Sequence, residues 1–211
     1  IGLLLALVGL PARAGDDIVI GQQVSDDYTI LYLARNGWQF HLYYVGGLTN
    51  ASAFQDAGLI TMNCLYFKTK TGVPQGMIRS QGKTLADDGR RFGTAFTWNE
   101  HGWQLQPAGM IDASRNGFLT GPTLIRDGQP LDNFDAEGIN PNRLPRPRFA
   151  IGHAQDGSTV IVMTRKPFFL KDFAKFLTQF NLKDAVNLDG GSSAFMYVAG
   201  EATVATDRQN I

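Results

Sequence analysis

The chain has 211 residues, of which 44% are hydrophobic and 11% aromatic, so it can bury one substantial core. Its 19 Lys and Arg residues balance its 19 Asp and Glu residues, and a nucleic-acid partner, which favours a strongly basic surface, is therefore not predicted. The single cysteine, Cys64, excludes an internal disulfide and a four-cysteine zinc site.

The N-terminal stretch IGLLLALVGLPARA differs from the rest of the chain. Ile1 to Leu10 is an apolar run shorter than the roughly 20 residues that cross a bilayer. Ala12-Arg13-Ala14 is a small-x-small sequence of the kind that signal peptidases cleave. Residues 1–14 are therefore predicted to be the remnant of a secretory signal, and residues 15–211 a secreted or periplasmic domain with no membrane span. The alternative is a buried N-terminal strand or helix.

Short turn signals recur along the chain and predict β-hairpins. Asn-Gly and Asp-Gly pairs between apolar runs are the strongest such signals, because both residues tolerate a positive φ. The predicted hairpin turns are Asn36-Gly37, Gln81-Gly82, His101-Gly102, Asp127-Gly128 and Asp156-Gly157.

Two helices are predicted among these strands. Ser52 to Gly58 begins with a residue that can cap a helix and ends with one that can stop it. The second helix lies in FLKDFAKFLTQFNL, where Leu170, Phe173, Ala174, Leu177 and Phe180 recur at helical spacing and form a core-facing stripe. The segment DAVNL then continues as a buried strand. Together these elements predict a single-domain α+β fold, a mixed and largely antiparallel sheet with a few helices.

The most informative stretch is AVNLDGGSSAFMYV, Ala185 to Val198, where Asp-Gly-Gly-Ser-Ser separates two predicted strands. Asp189 follows the first strand, and side chains at strand ends often project into a cleft. Gly190 and Gly191 allow a ligand to approach the backbone, whose N–H groups can bind an anion. Ser192 and Ser193 add hydroxyl groups. One carboxyl beside several neutral donors suits a polyhydroxylated or phosphorylated ligand.

Other interpretations of this stretch are a structural turn, a serine-hydrolase elbow and a phosphate loop. The first is as compatible with the residues as a ligand site is, because Asp189 could simply accept from backbone N–H groups. The elbow fits poorly, since Ala194 stands where its last glycine belongs. A Walker-type phosphate loop needs a lysine after the glycines, and none is present.

The segment KDFAKFLTQFNLKDAVNLDGGSSAFMY resembles the C-terminal signature of the phosphodiester glycosidase family, whose bacterial members include many of unknown function. Four further segments resemble family motifs in the same order, so the resemblance covers about Met62 to Tyr197. These segments are MNCLYF, GVPQGMIRSQGK, FLTGPTLIRDGQ and RPRFAIGHAQDGSTVIVMT. The chain departs from the family pattern at Cys64-Leu65, and a third glycine after Gly191 is absent.

The resemblance implies a hydrolase that cleaves a sugar-1-phosphodiester linkage, in envelope or extracellular glycans. It implies catalytic roles for Asp189, Arg148 and Asn63. The carboxylate would stabilise an oxocarbenium-like sugar or activate a water molecule, the arginine would bind the departing phosphate, and the asparagine would orient the sugar or phosphate. Substrate binding is implied for Gly121, Gly190, Gly191, Ser192 and Ser193. The alternative is a non-catalytic module of the same fold that binds glycans or phosphate.

A few residues stay as secondary candidates. Arg146 could assist in phosphate binding, His153 could be an acid or base but is more typical of a surface residue, and Asp135 or Glu137 could be a second carboxylate. Cys64 is expected to be buried rather than nucleophilic. No cofactor is predicted, and a divalent metal bound by oxygen ligands stays open.

Overall fold

The computed structural model describes residues 3–9, 18–35, 38–44, 60–134, 144–199 and 204–205. Within these residues the chain forms three β-sheets, one α-helix and a few short 3-10 helices. Every strand pair in the three sheets is antiparallel. The predicted largely antiparallel strand pairing with a few helices is therefore confirmed. The single mixed sheet of the predicted α+β fold is not found, because the described strands form three sheets without a parallel pair and the fold is richer in strand than predicted.

The largest sheet has seven strands in the order β12-β11-β15-β13-β14-β3-β2. Its strands are β2 (Val19–Val24), β3 (Tyr28–Leu33), β11 (Thr123–Arg126), β12 (Gln129–Pro130), β13 (Phe149–Ala154), β14 (Thr159–Thr164) and β15 (Leu182–Leu188).

Two five-stranded sheets complete the fold. One has the order β17-β16-β5-β1-β4, with β1 (Leu3–Gly9), β4 (Trp38–Tyr44), β5 (Ile60–Asn63), β16 (Phe195–Val198) and β17 (Val204–Ala205). The other has the order β7-β6-β10-β8-β9, with β6 (Met77–Ser80), β7 (Lys83–Asp87), β8 (Thr94–Asn99), β9 (Gly102–Pro107) and β10 (Asn116–Thr120).

The main core lies where the three sheets meet. Phe149 from the seven-stranded sheet, Met62 from β5 and Phe96 from β8 belong to one buried cluster. Phe96 stacks on Phe118 at a centroid distance of 5.0 Å and on Trp103 at 4.9 Å. Successive residues of a strand point to opposite faces of the sheet. Residues of the central strands β13, β14 and β15 belong to buried clusters on both faces, so both faces of these strands are buried.

The opposite face of the seven-stranded sheet is covered by the helix α1 (Leu170–Leu177). All five residues of the predicted apolar stripe are buried, which confirms this helix, and a 3-10 turn (Thr178–Phe180) extends it. The helix connects β14 to β15, which lie on either side of β13, and β15 then ends directly before Asp189. The other predicted helix, Ser52 to Gly58, lies outside the described residues.

Four of the five predicted hairpins are confirmed: β6 pairs with β7, β8 with β9, β11 with β12, and β13 with β14. The prediction of a hairpin around Asn36-Gly37 is wrong. The turn residues themselves lie outside the described residues, but β3 pairs with β2 and β14, whereas β4 pairs with β1 in another sheet. Long-range pairing on both edges of β3 has overridden the local turn signal.

The N-terminal strand β1 occupies part of the predicted signal sequence. It pairs with β4 on one side and with β5 on the other, as the alternative of an N-terminal strand anticipates. Export with cleavage after Ala14 stays a prediction, and the intact mass of the protein recovered from cells would show whether β1 is retained. Among the described residues, no helix is both long and apolar enough to span a bilayer.

We expect Gly152→Ala to destabilise the protein, because this glycine lets β13 and β15 approach closely. A β-carbon at Gly152 would lie 2.2 Å from the Asp184 carbonyl oxygen and 2.9 Å from the Ala185 β-carbon. Relief of such a clash by backbone shifts costs about 1–3 kcal/mol of unfolding free energy. Urea denaturation should show a lower midpoint than for Gly109→Ala, whose β-carbon would meet nothing within 4 Å. Equal midpoints for the two variants would contradict the close approach.

Candidate functional site

The Asp-Gly-Gly-Ser-Ser turn carries the chain from one sheet to another. Asp189 follows β15 of the seven-stranded sheet, a 3-10 turn (Gly191–Ser193) comes next, and β16 continues in the five-stranded sheet beside β5. Asn63 is the last residue of β5, and the Asp189 backbone N–H donates to the Cys64 carbonyl at 3.3 Å. The junction of the two sheets therefore places Asn63 and Asp189 side by side.

The Asp189 carboxyl group is buried and held by hydrogen bonds. Its Oδ2 accepts from Ser193 Oγ at 2.8 Å and from Asn63 Nδ2 at 3.3 Å. Asn63 Nδ2 also donates to the Asp189 carbonyl at 3.2 Å, while its Oδ1 accepts from the Phe195 N–H at 2.8 Å. Because Asn63 is itself buried and both ends of its amide are engaged, it positions Asp189 in this structure.

Burial raises the pKa of Asp189 from its ordinary value to about 7. Desolvation is the largest cause, because it penalises the charged form. Hydrogen bonds from Ser193, Asn63 and the Gly190 backbone act in the opposite direction, since they stabilise the carboxylate. The carboxyl group therefore changes its charge near neutral pH, which suits proton transfer or charge stabilisation in catalysis.

Glycine is needed at each of the two positions of the turn for a different structural reason. A β-carbon on Gly190 would lie 2.7 Å from the Pro147 carbonyl oxygen, so only glycine lets the turn lie against that segment. Gly191 has a φ of +68°, which L-residues with side chains rarely adopt. Its N–H donates to the same Pro147 oxygen at 2.8 Å, so this group of the predicted anion cradle already has an intramolecular partner.

The two serines of the turn differ in their surroundings. Ser193 Oγ donates to Asp189 and lies 3.0 Å from the Gly190 carbonyl, so it is part of the buried network. Ser192 is exposed, and its hydroxyl has no hydrogen-bond partner among the described residues. Ser192 is thus the member of the pair that is open to a ligand.

Two arginines lie beside the turn, Arg148 through its backbone and Arg146 through its guanidinium group. Arg148 has its Cα 3.3 Å from where a β-carbon on Gly190 would sit, and it donates to the Phe168 and Leu144 carbonyls at 3.0 and 3.2 Å. Arg146 has its Nη1 3.7 Å from the corresponding position on Gly191. Within the part of the chain that the structure describes, no carboxylate forms a salt bridge with either arginine.

The pKa of Arg148 reflects this arrangement. Burial is the main cause that lowers its pKa, the Tyr66 phenol acts in the opposite direction, and the Arg146 guanidinium lowers it further. Two like charges held near each other without a described acidic partner favour the binding of an anion between them.

Tyr66 and Asn187 join the site without having been predicted from the sequence. Tyr66 donates to the Gly121 carbonyl at 2.8 Å, accepts a hydrogen bond from Asn187 Nδ2, and stacks on Phe92. Asn187 is buried, and its Oδ1 has no partner among the described residues. Its position two residues before Asp189 was a usable signal, because residues i and i+2 of a strand share a face. Through Tyr66, the predicted Gly121 connects to β15.

The secondary candidates other than Arg146 are placed elsewhere. His153 lies near the far end of β13, half-buried, with its Nδ1 2.9 Å from Asp184 Oδ1. Cys64 lies fully buried in the main core, where a thiol cannot reach a substrate, so a cysteine nucleophile is contradicted. Asp135 and Glu137 lie outside the described residues. In the described part of the chain no group of three or more His, Cys, Asp or Glu residues is arranged to hold a metal ion.

Comparison with known proteins identifies one family and several similar solved structures. A model of the family described as phosphodiester glycosidase matches residues 57–210. A hypothetical protein from Synechocystis is 15% identical, with a TM-score of 0.69 over 100% of this chain and 67% of its own. The zebrafish N-acetylglucosamine-1-phosphodiester alpha-N-acetylglucosaminidase catalytic domain, auto-inhibited by its pro-peptide, is 17% identical, with a TM-score of 0.60 over 95% of this chain and 80% of its own. At these identities the two structures show a shared fold. No curated protein matched the chain.

We expect Asp189→Asn to stabilise the protein at pH 8 and to have little effect at pH 4. The raised pKa means that the folded state holds a proton that the unfolded state releases between about pH 4 and pH 7. The free energy of unfolding of the wild type should therefore fall as the pH rises through that window, by up to about 4 kcal/mol at about 1.4 kcal/mol per pKa unit. The neutral amide escapes this cost. Urea denaturation at several pH values measures the free energy of unfolding of the wild type and of Asp189→Asn.

A matched control for this experiment is Asp132→Asn, which removes an exposed carboxyl group. It should follow the wild type at every pH. If Asp189→Asn also follows the wild type, the Asp189 carboxyl is not buried as described.

Proposed function

The chain belongs to the phosphodiester glycosidase family, and we propose that it hydrolyses a sugar-1-phosphodiester linkage at Asp189. One observation carries the proposal: a buried carboxyl group with a pKa of about 7 adjoins a turn flanked by two arginines, neither of which pairs with a described carboxylate. A location outside the cytoplasm, and substrates among envelope or extracellular glycans, are part of the proposal and depend on the predicted export of the chain.

The leaving group explains why one carboxyl group can suffice. Ordinary glycosidases use a carboxylic acid to protonate an alkoxide that leaves poorly, and a second carboxylate on the other side of the sugar. Cleavage of a sugar C1–O–P linkage releases a phosphate monoester instead, whose second pKa is about 6. Such a group departs with little protonation, so the acid of the ordinary pair is dispensable.

Asp189 would act in its ionised form. A carboxylate beside C1 stabilises the positive charge that develops on the sugar ring, or accepts a proton from the attacking water. Asn63 and Ser193 both donate to Oδ2, which fixes the carboxylate plane. Because the group is desolvated, its negative charge acts more strongly than it would in water.

Arg146 and Arg148 would bind the phosphate. A guanidinium presents a planar fork of donors that fits two phosphate oxygens, and its charge stabilises the charge of the departing monoester. Arg148 is held by two backbone carbonyls, so its position is fixed before substrate arrives. Arg146 is exposed, and its backbone is fixed by paired hydrogen bonds with Phe168 at 3.1 and 2.8 Å. Ser192 adds an exposed hydroxyl group on the same turn.

We expect Asp189→Asn to lower kcat for a sugar-1-phosphodiester by about 10²–10⁴-fold, the range typical of a lost acid–base or charge-stabilising group. The assay measures release of reducing sugar from a panel of synthetic sugar-1-phosphate methyl diesters. The wild-type rate should rise with pH through about 7, as Asp189 ionises. Asp132→Asn is the matched control and should retain full activity.

The same panel separates an enzyme from a binding module. Diesters that bind the wild type in calorimetry but release no sugar would replace the hydrolase by the non-catalytic module. Undiminished turnover by Asp189→Asn would remove Asp189 from the mechanism.

We expect Arg146→Gln to raise KM about tenfold with a smaller change in kcat, because a charged hydrogen bond to phosphate contributes about 1.5–3 kcal/mol to binding and exposure reduces that figure. Arg146 is exposed, so the fold should not change. Arg115→Gln removes an equally exposed charge and is the control. Equal KM values for the two variants would mean that Arg146 does not touch the phosphate.

A further inference from the structure

A second groove lies away from Asp189, at the other end of β13 and β15. It has a volume of about 680 Å³ and is lined by His153 and Asp184, which are register partners in the two strands. Phe149 and Leu188 are the register partners at the Asp189 end. Asp184 and Asp189 are five positions apart in extended chain, which is about 17 Å at the rise of a β-strand. The groove is therefore distinct from the site proposed for hydrolysis.

His153 is held rigidly in this groove. Its ring stacks on Trp103 at a centroid distance of 3.7 Å, and its Nδ1 lies 2.9 Å from Asp184 Oδ1. Trp103 is fixed in turn, since its Nε1 donates to Thr159 Oγ1 at 2.8 Å. Among the described residues nothing bonds to His153 Nε2. The ring nitrogen is thus oriented in advance for a ligand, and its own position needs no ligand to maintain it.

The acidic and basic side chains of the groove differ in their partners. Asp184 is engaged by His153, and Asp156 accepts from the Ser158 hydroxyl and backbone N–H. Arg35 and Lys183 are exposed lining residues, and neither forms a salt bridge with a described carboxylate. The Arg35 Nε lies 3.3 Å from where a β-carbon on Gly157 would sit, so this side chain lies along the groove wall. The groove therefore offers two cations that no carboxylate of the described residues pairs with.

The remaining lining is rich in carboxamides and has an aromatic surface. Gln39, Asn99, Gln104 and Gln155 each combine a donor and an acceptor, which suits ligand hydroxyl groups. The half-buried Trp38 indole provides a surface on which the apolar face of a sugar ring can pack.

Another groove adjoins this one. A neighbouring groove of about 430 Å³ shares Leu105, Lys183 and Asp184 with it. Pockets for single small ligands have volumes of roughly 300–1,000 Å³. Two adjoining volumes that share a wall suit a chain of several sugar units better than a single one.

We propose that this groove binds an acidic oligosaccharide, with Arg35 and Lys183 contacting its negative groups and His153 Nε2 with the carboxamides contacting its hydroxyl groups. The inference goes beyond hydrolysis at Asp189: the groove holds a distant part of a charged glycan and needs no turnover to be detected.

Calorimetry on the full chain tests the groove with three octasaccharides: oligogalacturonate, phosphorylated malto-octaose and neutral malto-octaose. We expect both acidic octamers to bind about five- to tenfold more tightly than the neutral one, because two added charge contacts contribute up to about 1 kcal/mol each. The tighter of the two acidic ligands identifies the acid as carboxylate or phosphate. Affinity should fall as salt rises, since the contacts are exposed.

The variant Arg35→Gln/Lys183→Gln should lose most of the preference for the acidic octamers, about five- to tenfold in affinity. Lys70→Gln/Lys175→Gln removes the same charge from exposed positions outside the groove and should bind like the wild type. His153→Gln should weaken all three ligands.

Asp189→Asn should keep full affinity for the acidic octamers, which separates this groove from the hydrolytic site. The proposal is overturned if no acidic octamer binds, if both double variants lose affinity equally, or if Asp189→Asn abolishes binding. None of these results depends on whether the protein hydrolyses a diester.

Discussion

Burial of the Asp189 carboxyl group is the constraint around which this protein is organised. Removing a carboxylate from water is costly, and the structure offsets part of that cost with donors from Asn63, Ser193 and the Gly190 backbone. The offset is incomplete, so the pKa stays near neutrality. A fully compensated carboxylate would be permanently charged, whereas one without donors would stay protonated. The partial balance gives a group whose charge responds to its surroundings.

This balance requires two sheets to meet at one turn. β15 brings Asp189 from the seven-stranded sheet, and β5 brings Asn63 from a five-stranded one. Gly190 lets the Pro147 carbonyl approach within a distance that a side chain would prevent, and this places Arg148 beside the turn. The packing that closes the core at this junction is thus the same packing that brings together a carboxyl group, an amide and two arginines.

Strands β13 and β15 carry different chemistry at their two ends. At one end a buried acid adjoins exposed positive charge, and at the other a stacked imidazole is fixed by Trp103 and Asp184. Because both strands are buried on both faces, the ends cannot move independently by large amounts. A rigid pair of strands is a suitable frame for a protein that holds an extended ligand at one place and acts on it at another.

The sequence alone determined the elements that depend on neighbouring residues. It determined the α1 stripe, four hairpin turns and the position of Asp189 at a strand end, because helical spacing, positive-φ residues and apolar runs act over a few residues. Three other features arise only in the assembled fold. Asn63 hydrogen-bonds to Asp189 across 126 positions of sequence, and β3 and β4 lie in different sheets despite Asn36-Gly37. Arg146 and Arg148 both lie beside the same turn. Desolvation, strand pairing and the distance between charges depend on which residues surround a side chain in the folded protein. Those residues are distant in sequence, so a local sequence pattern does not predict them.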